Sequence, residues 1–387
     1  LVIEADKAKD LTFLQQFLKT NAHELIKDMA QYGAVLLRGF EVDSDEDFEK
    51  VVLSIPDFRG MREAFMSENG RTQVGNLQYV LHTNSVYKTG GTLYLGGFHT
   101  ENYYSADVPS YICFCCLEPS RIGGETGLIN TQKLYASLSE NLQKKLEKQP
   151  FLAAHWSVSE IAGRYQQSPE SIRSWCAHFK LPVRGDAGQD FLMMYKPSVF
   201  KHPITQEKCL QVNTFEIPKL NEELRIHFMD DYQGNTWFWH RLVWRLPAGI
   251  FAAMEHTAVA CIAFFNSPKK SFKILANKMQ VSKMKRKAKL PKNHWDSVGS
   301  CFSTEEIKEL AKSMRSLYCS CLWKKGDILL IDNRKVMHAG MPGEGPRLIR
   351  AIICNPIEMQ YLATQSGVME VKERTTDTIG LALVSRG

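Results

Sequence analysis

The stretch GGFHTENYY, residues 96–104, decides how this chain is read, because His99 and Glu101 stand two apart in it. In an extended strand, side chains at i and i+2 leave the same face. An imidazole and a carboxylate would then converge on one point. A third ligand must come from elsewhere, and the best candidate is His338 in GDILLIDNRKVMHAG, residues 326–340. Two imidazoles and one carboxylate on one side of a metal, with the other side open, suit non-haem Fe(II) and its oxygen chemistry. His99, Glu101 and His338 are therefore the candidate metal ligands and catalytic residues.

An HxE triplet arises easily by chance, so the surroundings carry weight. His99 follows the glycine-bearing apolar run TLYLGGF, and His338 follows a strand ending in Asp332-Asn333. Both read as strand-edge positions. Two further constellations lie nearby. GGET, residues 123–126, has two glycines that permit a tight turn and a hydroxyl, Thr126, at the start of a strand. GPRLIRAII, residues 345–353, sets Arg347 and Arg350 inside an apolar strand, where a cation needs a partner. Three apart, they are expected on opposite faces.

Outward from these motifs the chain alternates short apolar runs with helical patterns. Residues 7–32 read as one or two helices ended by Gly33, AVLLRGF (34–40) as a buried strand, and DSDEDFEKVVLSI as a helix with an acidic first turn. Strands follow at TLYLGGFHTE (92–101), SYICFCCLE (110–118) and TGLINT (126–131), then a helix at LYASLSENLQKKLEKQ (134–149). FLAAHWSV, FLMMYKP and CLQVNTFEI (209–217) are further strand candidates. TEEIKELAKSMRSLY (304–318) begins with a capping box of Ser303 and Glu306. DILLIDN (327–333) and RLIRAIICN (347–355) close the pattern. The strands lack the strand–helix alternation of a parallel sheet. The expectation is a mainly β fold with helical decoration, a jelly roll. One domain spans residues 1–387, with insertions at about 159–189 and 221–292.

Composition sets the bounds. With 44% hydrophobic and 23% charged residues, the chain can bury a core and is not disordered. No apolar run is long enough to span a bilayer, and LVIEADKAKDL has no signal-peptide pattern. The ten cysteines show no CxxC spacing, and those in YICFCCL read as small buried residues. A reducing, cytoplasmic compartment is expected. The net charge of +6 is uneven: residues 269–292 hold ten basic residues and no acidic one. That segment reads as a solvated insertion, or as a lid or docking surface for something anionic.

FHTENYY, SYICFCCLEPSRIGGETGLIN and GDILLIDNRKVMHAGMPGEGPRLIRAII together resemble the taurine dioxygenase and clavaminate synthase-like group of Fe(II)/2-oxoglutarate dioxygenases, and RGFEVDSDEDFEKVV is similar to its N-terminal segment. The resemblance implies a double-stranded β-helix with Fe(II) on His99, Glu101 and His338. It implies 2-oxoglutarate and dioxygen as co-substrates, with the distal carboxylate of 2-oxoglutarate held by Thr126 and Arg347, and Arg350 in reserve. With the carboxylate ligand Glu101 present, the resemblance implies oxygenation, or desaturation or cyclisation, rather than chlorination. Within the group the likeness is to biosynthetic hydroxylases of amino acids, free or tethered to a carrier protein. Arg62, Arg71, Asn102 and Tyr103 are candidate substrate contacts. The partner expected is a small molecule, with no membrane and no nucleic acid. Competing readings are a protein or nucleic-acid hydroxylase or demethylase on the same fold, a zinc hydrolase, and a non-catalytic binding jelly roll.

Overall fold

The computed structural model describes residues 1–67, 72–83, 95, 97–148, 150–186, 188–214, 217–247, 249–251, 253–254, 279, 283–284, 290–358 and 368–384. Arg71, residues 92–94 and 96 of the strand expected at 92–101, and most of the basic segment lie outside them.

The largest sheet runs, in spatial order, Val2–Glu4, Ala34–Arg38, Ile328–Asp332, Pro109–Glu118, Leu348–Glu358 and Lys372–Glu373, with Leu81–His82 also paired to Leu348–Glu358. Its pairs are antiparallel except the first, which is parallel. The apolar runs at its centre are nearly continuous because both faces are covered. Val35, Leu37, Cys113, Cys115, Ile328, Leu330, Ile352 and Cys354 face the helices Leu11–Thr20, Ala22–Tyr32 and Asp45–Leu53. Their neighbours of opposite parity, Leu36, Phe114, Cys116, Leu329, Ile331 and Ala351, pack against Leu128, Trp323 and Val336. Those three residues come from a second antiparallel sheet of Tyr318–Cys321, Thr126–Asn130 and Val336–Gly340 and from the turn that follows its first strand. Two antiparallel sheets thus face each other across an apolar layer, with helices on the outer side of the larger one. The nine described cysteines are free thiols.

The local signals mostly act as read. Gly33 ends the second helix at φ 88, and its N–H reaches Met29 O. Ser44 caps the Asp45–Leu53 helix through Asp47 N, and Ser303 and Glu306 form the reciprocal capping box of Thr304–Leu317. Three expectations need correction. The helix read at 134–149 is two helices, Thr131–Ser137 and Glu140–Glu147. Asn130 starts the first one early by accepting from Gln132 and Lys133 N–H, and Leu138 is extended at ψ 152 between them. Among the described residues of 209–217, only Cys209 and Leu210 stay in a strand, Lys208–Leu210. His99 and Glu101 do not share a strand: His99 makes a single two-way backbone pairing and Glu101 opens a turn.

A candidate metal centre between the sheets

His338 lies within the strand Val336–Gly340, opposite Leu128 of the neighbouring strand, rather than at a strand edge. That strand's other side receives His99. His99 N–H donates to His338 O at 3.1 Å, and His338 N–H donates to His99 O at 2.9 Å. Two of the expected ligands are therefore joined directly through their backbones, with ring centroids 4.5 Å apart. Glu101 is placed by a different device. Its N–H donates to Asn333 Oδ1 at 2.6 Å, while Asn333 Nδ2 donates to Glu101 O at 3.1 Å and to Pro109 O at 2.9 Å. Between them, Thr100 Oγ1 donates to Gln211 Oε1 at 3.0 Å, and Gln211 Nε2 donates to Arg334 O at 3.1 Å. Every residue of the 99–101 segment is thus held from the 333–338 region or from Gln211. The sequence names the ligands but not Asn333 or Gln211, whose amides act across large separations.

The outcome is a compact donor set. One ligand atom from each of His99, Glu101 and His338 lies within 4.8 Å of the other two. Glu101 Oε2 and His338 Nε2 are 3.8 Å apart, with both side chains buried. The Nδ1 of His99 is 2.9 Å from Gly97 O. A carbonyl only accepts, so Nδ1 carries the proton and Nε2 keeps its lone pair for a metal. Gly97 holds φ 75, a conformation open to glycine. Two imidazoles and a carboxylate converging in a buried site fit a divalent first-row metal by donor chemistry.

Beside the triad, Thr126 and Arg347 meet. Arg347 Nη2 donates to Thr126 Oγ1 at 3.4 Å, and both residues are buried. A third group, not singled out from sequence, joins them: Trp323 Nε1 donates to the same hydroxyl at 3.2 Å. The glycines of GGET are required here. At Gly124, φ is 72 and a Cβ would come within 2.3 Å of Ser120 Oγ and 3.5 Å of Arg347 Cδ. Arg350 points the other way. It donates to both Asp45 carboxylate oxygens, at 2.7 and 3.3 Å, and lies 3.0 Å from His82 Nδ1. It is not brought together with Thr126.

Of the expected substrate contacts, Asn102 is buried at φ 51, and its Nδ2 has no hydrogen-bond partner among the described residues. Tyr103 is buried with its hydroxyl donating to Pro197 O. Arg62 lies over the Tyr79 ring and donates to Gln78 Oε1 at 2.5 Å. Behind the site, Asp332 takes a two-pronged bond from Arg334 (2.8 and 2.7 Å) and one from His202 (2.9 Å). Burial alone would raise the Asp332 pKa, but the charges of Arg334 and then His202 outweigh it and hold the group well below the usual carboxylate range.

Two facing sheets with a His-Glu-His cluster between them fit a metal-dependent oxygenase. The model of the taurine catabolism dioxygenase TauD, TfdA family matches residues 3–233, and the chain belongs to that family. It is a dioxygenase, with Fe(II) as cofactor and 2-oxoglutarate and dioxygen as co-substrates. His338 and Arg347 lie beyond the matched span. Among curated relatives, the dapdiamide synthesis protein DdaC of Enterobacter agglomerans is 17% identical, over 87% of this chain and 86% of its own. A clavaminate synthase-like protein of Arabidopsis thaliana is 22% identical, over 90% and 89%. Among solved structures, a taurine dioxygenase from Burkholderia xenovorans overlays with TM-score 0.47 at 11% identity, covering 100% of this chain and 96% of that one. Among the described residues no helix is long and apolar enough to cross a membrane.

Proposed function

We propose that this dioxygenase hydroxylates an unactivated C–H bond of an amino-acid-like small molecule, free or tethered to a carrier protein, in a biosynthetic pathway. The observation that carries the oxygenase part is the His99–Glu101–His338 cluster set beside the Thr126–Arg347 pair. The substrate class is supported by the curated relatives, one of which serves dapdiamide synthesis while the other is named for its likeness to clavaminate synthase. The two facing sheets are read as a double-stranded β-helix, and residues 1–387 as one catalytic domain with insertions at about 159–189 and 221–292.

In this reading His99, Glu101 and His338 hold Fe(II). Fe(II) with 2-oxoglutarate supplies the oxidising power that puts one atom of dioxygen on the substrate and the other into succinate, with loss of carbon dioxide. The chain's own residues do the placing. The shared backbone bonds of His99 and His338 fix the two imidazoles, and the Asn333 amide fixes Glu101. Arg347 and Thr126 hold the distal carboxylate of 2-oxoglutarate, and the apolar layer between the sheets keeps water away. Arg350 is assigned to the fold, because Asp45 already matches its charge. Asn102 is the preferred substrate contact, since a buried amide N–H without a partner calls for an acceptor. For Arg62, Arg71 and Tyr103 the assignment rests on sequence position.

The deciding experiment is an anaerobic titration of metal-free protein with Fe(II) and then 2-oxoglutarate, following the weak visible charge-transfer band of the chelate. The band should appear in the native protein and be lost in His99→Ala and Glu101→Ala. Iron binding without the band would overturn the 2-oxoglutarate assignment. A protein or nucleic-acid substrate docked on the basic run 269–292 is the second reading, favoured by the ten basic residues there. Strongly salt-dependent nucleic-acid binding would bring it forward.

A further inference from the structure

Thr126 sits in register between two strands, with Cys321 opposite it on one side and Gly340 on the other. Its side chain faces the layer between the sheets, where it meets Arg347 and Trp323. An indole N–H and a guanidinium N–H can only donate. Thr126 Oγ1 receives both, at 3.2 Å from Trp323 Nε1 and 3.4 Å from Arg347 Nη2. A hydroxyl oxygen has two lone pairs and one proton. With both lone pairs engaged, the proton must point elsewhere, and among the described residues no acceptor takes it. A carboxylate oxygen, negative and acceptor-only, is the complement of that outward O–H beside a guanidinium.

We propose that Trp323 is a positioning residue: by donating to Thr126 Oγ1 alongside Arg347, it turns the Thr126 hydroxyl into an obligate donor to the distal carboxylate of 2-oxoglutarate. This rests on the 2-oxoglutarate reading above and adds a residue and a role to it. The chain holds Trp323 firmly enough for the task. It is buried among the residues between the sheets, where an indole N–H needs a partner. The turn that follows is closed by Lys324 N–H on Asp327 Oδ2 at 2.8 Å and Asp327 N–H on Lys324 O at 3.1 Å. Asp327 is itself fully buried and tied to Arg38 Nη2 at 2.6 Å. Gly326 takes φ 82 in that turn. Trp323 is therefore set by a rigid corner between Tyr318–Cys321 and Ile328–Asp332, so its N–H reaches Thr126 without a mobile element between them.

The test reads co-substrate binding, not turnover. Fe(II)-loaded protein is titrated anaerobically with 2-oxoglutarate, and Fe(II) affinity is measured separately. Trp323→Phe keeps most of the ring packing and removes the N–H. It should weaken 2-oxoglutarate binding by about threefold to tenfold, the worth of one ordinary hydrogen bond, with Fe(II) affinity unchanged. In a Thr126→Val background the same substitution should have no further effect, because the hydroxyl it acts through is gone. Equal weakening in both backgrounds would mean that Trp323 acts by packing alone and would overturn the proposal. Should Trp323→Phe fold poorly, Thr126→Ser and Thr126→Val decide the matter. Serine should bind 2-oxoglutarate nearly as the native protein does and valine about tenfold more weakly; equal affinity in the two would sink the donor role. Absence of 2-oxoglutarate binding in the native protein would instead remove the co-substrate reading on which this rests.

Discussion

The strand Leu348–Glu358 and the residue before it carry two arginines, and the two sides of the large sheet use them differently. On the helix side, Arg350 is matched within the protein to Asp45 at the start of the Asp45–Leu53 helix, with His82 beside it. On the side facing the second sheet, Arg347 donates to a hydroxyl that itself receives an indole N–H. A charge answered by a carboxylate of the same chain belongs to the architecture. One that shares a hydroxyl with a neutral donor is the one the proposed function assigns to an anion. The same division holds for the acids. Asp332 on the helix side is answered by Arg334 and His202, whereas Glu101 on the other side converges with two imidazoles.

Substitutions can break or sharpen that contrast. The largest effect is expected for Arg350→Ala, which leaves a largely buried Asp45 charge unanswered. It should cost about 3 kcal/mol of stability, read as a fall in thermal midpoint, while 2-oxoglutarate affinity in the surviving folded protein stays near native. A stable variant with weakened 2-oxoglutarate binding would reverse the assignment of the two arginines. Arg347→Ala should do the opposite. Loss of a charge-assisted bond worth ~1.5–3 kcal/mol weakens 2-oxoglutarate binding by roughly tenfold to a hundredfold, with a smaller change in melting.

The smallest signal is the pH dependence of stability, which is flat near neutral pH. The Asp332 pKa is lowered in the fold, so its ion pairs stabilise fully above the ordinary carboxylate pKa, and that stability drains away as pH falls below it. The stability gap between the native protein and Asp332→Asn should be constant from about pH 8 to about pH 5 and should narrow below about pH 4. A gap independent of pH down to strong acid would show that the carboxylate charge is not what the cluster uses.

Much of this was legible in the sequence for physical reasons that can be named. The runs in Ala34–Arg38, Pro109–Glu118 and Ile328–Asp332 are apolar at successive positions because both faces are covered, and that signal survives without any partner in view. The caps at Ser44 and Ser303 act within four residues of themselves, so local reading finds them. The opposed directions of Arg347 and Arg350 followed from strand geometry. Illegible features all depend on distant partners. Glu101 was read as part of a strand because nothing near it in sequence announces that Asn333, 232 residues away, will hold its backbone in a turn. Nothing near Trp323 in sequence announces its bond to Thr126 across 197 residues. The expected helix over 134–149 broke for a similar reason: Glu309, 170 residues on, takes the Ser139 N–H at the point of the break.

The two-way bond between His99 and His338 also bears on how the protein comes into being. A ribosome releases His99 and Glu101 long before it releases the strand carrying His338, and closing a loop of that size is paid for only when the late strand docks between its neighbours. The two imidazoles face each other only from that moment. The nascent chain therefore lacks the assembled three-donor cluster for most of its synthesis. A chain that stops short of residue 338 would carry the HTE motif without the cluster it belongs to.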